Sequence, residues 1–174
     1  MNIPLKNIIF LPIVFVGIFV TLMSIAALGF AFYMEHVRDL DPCHLCLLER
    51  WPYRLTALLG LLITILGIRK QKSAALIVLT LAALTFAGEA GLAFYHVGVE
   101  QHWWQSAFQG CTFNFNGGAD LLAQVEAKPA ARCDEIAWSL FGISMAGWNA
   151  VLALMLCLYS GFSVWAGLRR PQAG

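Results

Sequence analysis

Four apolar runs alternate with polar stretches along this chain, at approximately residues 8–33, 51–68, 74–95 and 141–164. Each is close to the roughly 20 residues that a helix needs to cross a bilayer's hydrocarbon core. The pattern predicts an all-α membrane protein, a four-transmembrane-helix bundle forming a single domain over residues 1–174. Pro12 falls in the first turns of the first run, where a proline costs little. The connections are a loop at about 34–50, a basic turn at Arg69-Lys70-Gln71-Lys72 and a long loop at about 98–140. In the long loop, Leu121, Leu122 and Val125 follow the Gly117-Gly118 turn. They form either a surface-lying amphipathic patch or an ordinary polar loop. Ile136 to Phe141 is expected at the interface before the fourth span.

Composition sharpens this picture. Of 174 residues, 60% are hydrophobic and 12% charged, whereas soluble domains lie nearer one half and one quarter. Four spans use about half the chain, so no large soluble domain remains, and any chemistry belongs to the bundle or its loops. A net charge of +1 points to no nucleic-acid partner. Lys6 before the first run resembles the start of a signal peptide. The run exceeds the usual 7–15 residues, however, and ends in Glu35-His36 without a small-residue cleavage site, so an uncleaved first span is expected.

Charge sets the expected orientation. One side of a four-span bundle carries Lys6, Arg69, Lys70, Lys72, Arg169 and Arg170, and the other Arg38, Arg50, Arg54, Lys128 and Arg132. Arg50 and Arg54 lie at or inside the start of span two, so only three of the latter are free loop charges. The positive-inside rule then puts both termini in the cytoplasm and both longer loops outside. Tyr33, Trp51, Tyr53, Tyr95, Trp103, Trp104 and Trp138 gather near that outer boundary, as an aromatic belt would.

The same topology sorts five cysteines. Cys43, Cys46, Cys111 and Cys133 face outward, and Cys157 sits alone in span four as a small hydrophobe. Four cysteines outside the cytoplasm suit disulfides or a disulfide relay, and they can pair in three ways. Zinc is less favoured, because Cys111 and Cys133 form no second close dithiol. A Cys-x-x-Cys staple closes a very small loop and stabilises little.

Local features favour a reactive Cys43-His44-Leu45-Cys46. Asp41 as N-cap and Pro42 at N1 would place Cys43 in a helix's first turn, where unpaired N–H groups stabilise a thiolate. Arg50 follows Cys46 by four residues, on the same face if the segment is helical. Pro52 competes as the true start of the second span and would leave the Cys46–Arg50 distance open. His96 ends span three, suited to proton transfer or to a carbonyl ligand, or merely interfacial. Glu89 lies two turns inside span three, where a carboxylate is costly, with Arg54 as its expected partner.

Together these residues resemble the DsbB family of bacterial inner-membrane proteins. The resemblance rests on four spans, on Pro42-Cys43-His44-Leu45-Cys46-Leu47-Leu48-Glu49-Arg50, on Tyr95-His96-Val97-Gly98-Val99-Glu100 and on the outward Cys111 and Cys133. It implies a thiol:quinone oxidoreductase in the bacterial inner membrane with its active loops in the periplasm. A reduced periplasmic DsbA-like oxidase would be reoxidised at a Cys111–Cys133 disulfide. Electrons would pass to Cys43–Cys46 and on to a quinone, ubiquinone or menaquinone, held near Cys46, Arg50 and His96. No resident metal is implied. Two alternatives accompany this reading: a related quinone-dependent oxidase with another client, and a non-enzymatic tetraspan protein with structural disulfides.

Overall fold

Long apolar runs with no interior water contact satisfy their backbone only within helices, and the chain forms four. In the computed structural model, which describes residues 5–108, 111 and 131–169, these are α1 (Leu5–His36), α2 (His44–Ile68), α3 (Lys72–Glu100) and α4 (Met145–Arg169). All four, α1 counted from Pro12, are long and apolar enough to cross a membrane. The patch around Leu121 lies outside the described residues, as do Lys128 and Arg170. Large apolar side chains such as Phe15, Leu58, Leu84 and Phe162 point outward, as expected where the solvent is lipid.

α1 packs along α2 and α3 along α4, and contact between α2 and α3 joins the pairs. α1 and α4 barely touch. The α1–α2 contact has a small-residue seam on each side, Gly17-x-x-x-Thr21 against Gly60-x-x-x-Thr64. A Cβ on Gly60 would lie 2.5 Å from Thr21 Oγ1, 2.8 Å from Thr21 N and 2.9 Å from Gly17 O. Two of those atoms are backbone and cannot swing away. With lipid as apolar as leucine, such close approach is what holds membrane helices together. Ser24 and Thr56 add a buried hydroxyl pair at 2.8 Å. Gly60→Leu is therefore expected to destabilise the bundle by about 3 kcal/mol. Gly29→Leu, where a new Cβ meets nothing within 4 Å, should be neutral. Denaturation in mixed micelles checks both.

Three departures from the sequence-based expectations shape the end of the bundle that carries Cys43 and Cys46. First, α2 begins at His44, so Pro52 lies inside the helix instead of starting it. Cys43 itself is the N-cap, in place of Asp41. Second, the fourth span begins at Met145, not near Phe141. Residues 139–144 form a two-stranded antiparallel hairpin, with Ser139 opposite Ser144 and Leu140 opposite Ile143. Its tip is Phe141-Gly142, both at positive φ (54° and 79°), as a tight two-residue hairpin turn requires. Ser144 then caps α4, its Oγ accepting from Gly147 N–H at 3.1 Å. Third, the loop after α3 folds back over its own helix. Trp104 stacks on Tyr95 and donates its indole N–H to Tyr95 O at 3.1 Å. Tyr95 Oη accepts from Ala107 N–H at 2.8 Å. A side chain at Gly98 would collide with the Trp104 ring. This clamp brings the chain back to Cys111.

Candidate functional site

The capping position of Cys43 determines its surroundings. Its Sγ accepts from Cys46 N–H at 3.1 Å, so one of the otherwise unpaired amides of the α2 start points at this sulfur. Cys43 and Cys46 form a disulfide with Cα atoms 5.1 Å apart. Cys111 and Cys133 form the second, with Cα atoms 4.6 Å apart. Of three possible pairings, the structure adopts the one within each loop.

Both disulfides belong to one apolar cluster. Cys43, Leu45, Val99, Cys111 and Cys133 are buried together, with Cys46, Leu48 and Tyr95 packed against them. The long loop was expected to leave Cys111 and Cys133 open to a soluble partner. Instead both are fully buried, in one cluster with Leu45 of α2 and Val99 of α3. Arg132 forks onto Asp134 at 3.0 and 2.8 Å, which fixes the chain beside Cys133. That hydrogen bond and the adjacent guanidinium charge hold the Asp134 carboxyl below its ordinary range.

α3 delivers His96 to the other side of Cys43. Its Nε2 lies 3.6 Å from Cys43 Sγ, and its Nδ1 lies 2.8 Å from Glu49 Oε1. A carboxylate facing Nδ1 selects the tautomer with the proton on Nδ1, leaving the Nε2 lone pair directed at sulfur. Carboxylate, imidazole and thiol in this order form the arrangement that activates a nucleophile. When the disulfide is reduced, Nε2 can take the Cys43 proton. The sequence reading placed His96 beside a quinone. It does line the cavity described below, but its first contact is sulfur.

Glu49 also continues the network inward. Asn149 of α4 donates through Nδ2 to Glu49 Oε2 at 2.9 Å and to Glu89 Oε1 at 2.7 Å. Asn149 Oδ1 accepts from Tyr53 Oη at 2.6 Å. The expected Glu89–Arg54 ion pair is not formed. Glu89 is fully buried, whereas Arg54 lies on the outer face of α2, with its guanidinium 4.9 Å over Trp51. The helix phase explains the difference. The buried stripe of α2 runs through Leu45, Glu49, Arg50, Tyr53, Thr56 and Gly60, and Arg54 falls outside it.

Arg50 lies on that stripe one turn after Cys46. Its Nη1 lies 2.6 Å from Glu35 Oε2 of α1, and its guanidinium is 4.9 Å over Phe32. Its Nε–H is buried with no hydrogen-bond partner among the described residues, so the group retains donor capacity. Arg50, Cys43, Cys46 and His96 all line one cavity of about 410 Å³. Ala27, Leu28, Phe30 and Ala31 of α1, with Trp148 and Leu152 of α4, complete its wall. It opens at one end of the bundle between α1 and α4, which touch little. Its wall is mostly apolar, with Glu35, Glu49, Arg50, Tyr53, His96 and Asn149 among its polar members, a composition that suits a lipophilic molecule carrying polar oxygens.

Sequence reasoning missed Asn149 and gave Glu49 no role. Both were visible as polar residues at or inside apolar runs, a sign of function or pairing. Cys157 lies far from both disulfides, against the apolar core of the bundle.

The chain is similar to known proteins over most of its length. The profile of the family described as "Disulfide bond formation protein DsbB" matches residues 14–163. A Disulfide bond formation protein B of Hahella chejuensis is 31% identical over 88% of this chain and 93% of its own length. That of Marinobacter nauticus is 33% identical over 82% and 86%, and that of Albidiferax ferrireducens 29% over 87% of each. No solved structure matches the chain. With four membrane-crossing helices, two cysteine pairs in one cluster and a family match over most of its length, this multi-pass membrane protein belongs to the DsbB family of disulfide bond formation proteins.

Proposed function

We propose that this protein oxidises a DsbA-like thiol oxidase in the periplasm and passes the electron pair to a quinone of the bacterial inner membrane. The observation that carries the reading is the cavity. It is mostly apolar, is walled in part by Leu28 of α1 and Leu152 of α4, and has Cys46, His96 and Arg50 in its lining. The spare Nε–H of Arg50 fits a carbonyl oxygen. A bound quinone supplies a two-electron sink. Net reaction balances as partner dithiol plus quinone giving partner disulfide plus quinol, with two electrons and two protons transferred.

The protein's residues divide the work. A partner thiolate attacks Cys111 and displaces Cys133 as the leaving thiolate, after the Trp104 clamp lifts enough to expose the pair. Cys133 then attacks Cys43, which sits in the same cluster, and Cys46 leaves as the thiolate. The partner's second thiolate attacks the partner–Cys111 bond, and the partner departs as the disulfide. The freed Cys111 takes Cys133 back from Cys43, leaving Cys43 and Cys46 reduced. His96, oriented by Glu49, receives the proton of a reduced Cys43. Arg50, one turn beyond Cys46, offsets the thiolate charge and orients an oxygen in the cavity. The charge distribution of the loops supports cytoplasmic termini and a periplasmic active end.

Membranes reduced with excess dithiothreitol, washed and given quinone test the reading. Thiol trapping should show all four outer cysteines reoxidised rapidly and only with quinone. Slow reoxidation that ignores quinone would leave the disulfides as staples. Replacing Cys133 by Ala should trap a mixed disulfide at Cys111. A trapped partner other than a DsbA-like oxidase would favour a dedicated client.

A further inference from the structure

His96 and Cys43 are spaced as two ligands of one metal ion are spaced. Cys43 Sγ, Cys46 Sγ and a nitrogen of His96 all lie within 4.8 Å of one another. In a tetrahedral zinc site, bonds of about 2.3 Å to sulfur and about 2.0–2.1 Å to nitrogen put S and N about 3.6 Å apart. The Cys43 Sγ–His96 Nε2 separation is 3.6 Å. The other ring nitrogen meets the Glu49 carboxylate at 2.8 Å, the outer contact that fixes tautomer and orientation in carboxylate–histidine–zinc triads. The three residues line the cavity, so a fourth position stays open, as in zinc sites with two cysteines, one histidine and an exchangeable ligand.

We propose that the reduced Cys43–Cys46 pair and His96 form a redox-gated site for Zn²⁺ or another thiophilic divalent cation, and that the bound ion blocks reoxidation of the pair. The disulfide cannot bind it, because both sulfurs are committed to each other. Reduction takes two electrons and two protons, supplied by the partner dithiol. Zn²⁺ then displaces two thiol protons and holds both thiolates. Neither sulfur is free to re-form the S–S bond, and the ion occupies part of the cavity. Binding rests on the geometry alone, whereas inhibition rests on the function proposed above.

The test uses the full-length chain in lipid nanodiscs with Cys111 and Cys133 both replaced by Ser, so that one dithiol remains at the site. After reduction with a phosphine, which adds no competing thiol, Co²⁺ is titrated and then displaced by Zn²⁺. The expected result is one Co²⁺ per chain, with thiolate-to-cobalt charge transfer and intense tetrahedral ligand-field bands, and none of this in the oxidised protein. His96→Asn should weaken binding at least about 10-fold, and Glu49→Gln by about 10- to 100-fold. Circular dichroism identifies a variant that has failed to fold, in which case the other decides. Equal binding by oxidised and reduced protein, or unchanged affinity in the folded variants, would overturn the site. In the same preparation, Zn²⁺ should slow quinone-driven reoxidation of the pair at least 10-fold. Cobalt binding without slowing would overturn the block. If zinc-free protein does not react with quinone, the functional reading fails while the spectra still decide the site.

Discussion

Cys46→Ala is expected to lower quinone-dependent turnover by at least about 10³-fold, to the background of the membrane. The inner disulfide cannot form without it, and Cys46 is the sulfur released when Cys43 is attacked. The outer pair keeps its own disulfide and its cluster, so a single equivalent of partner dithiol should still be oxidised, once. A burst of one equivalent followed by no turnover is the expected trace, read by partner thiol titration and quinol absorbance. Continued turnover in Cys46→Ala would mean that electrons leave from another sulfur.

The second large effect is expected at Arg50. Removing a charge-assisted hydrogen bond forfeits about 1.5–3 kcal/mol, which corresponds to about 10- to 100-fold. Arg50→Met keeps much of the side chain's length while deleting the donors and the charge. It should raise the KM for quinone by that factor while leaving the single exchange between partner dithiol and Cys111–Cys133 close to wild type. Because Arg50 also contacts Glu35, part of any loss could come from the unpaired carboxylate. Glu35→Gln in the same background separates the two, since it should not restore quinone affinity. Equal loss in both half-reactions would make Arg50 an interfacial anchor instead.

Much of this was legible in the sequence, for physical reasons. The four spans follow from apolar length, which a bilayer enforces more strictly than water enforces any soluble pattern. The cysteine sorting follows from topology. The start of α2 was not legible, because Pro52 is a helix breaker by local rules. The structure keeps it inside α2, as membrane helices tolerate prolines when neighbouring groups satisfy the freed carbonyl. That choice matters, since a helix continuous from His44 is what puts Arg50 one turn from Cys46. The Glu89 partner was misjudged because depth was read without helix phase. Arg54 has about the right depth but points away, and the partner came from Asn149 on α4, distant in sequence. The hairpin at 139–144 and the burial of Cys111 and Cys133 against Leu45 and Val99 depend on contacts between residues distant in sequence or in short turns, which no periodicity announces.

The central claim is an order of events, with quinone oxidising Cys43–Cys46 first and that pair then oxidising Cys111–Cys133. Fully reduced protein in nanodiscs, mixed rapidly with one equivalent of quinone, quenched in acid and alkylated, measures that order directly by disulfide mapping. The account predicts that Cys43–Cys46 forms first, one per quinol, and that Cys111–Cys133 appears later as the inner pair is reduced again. Cys111–Cys133 forming first, or forming at the same rate in Cys46→Ala, would contradict it.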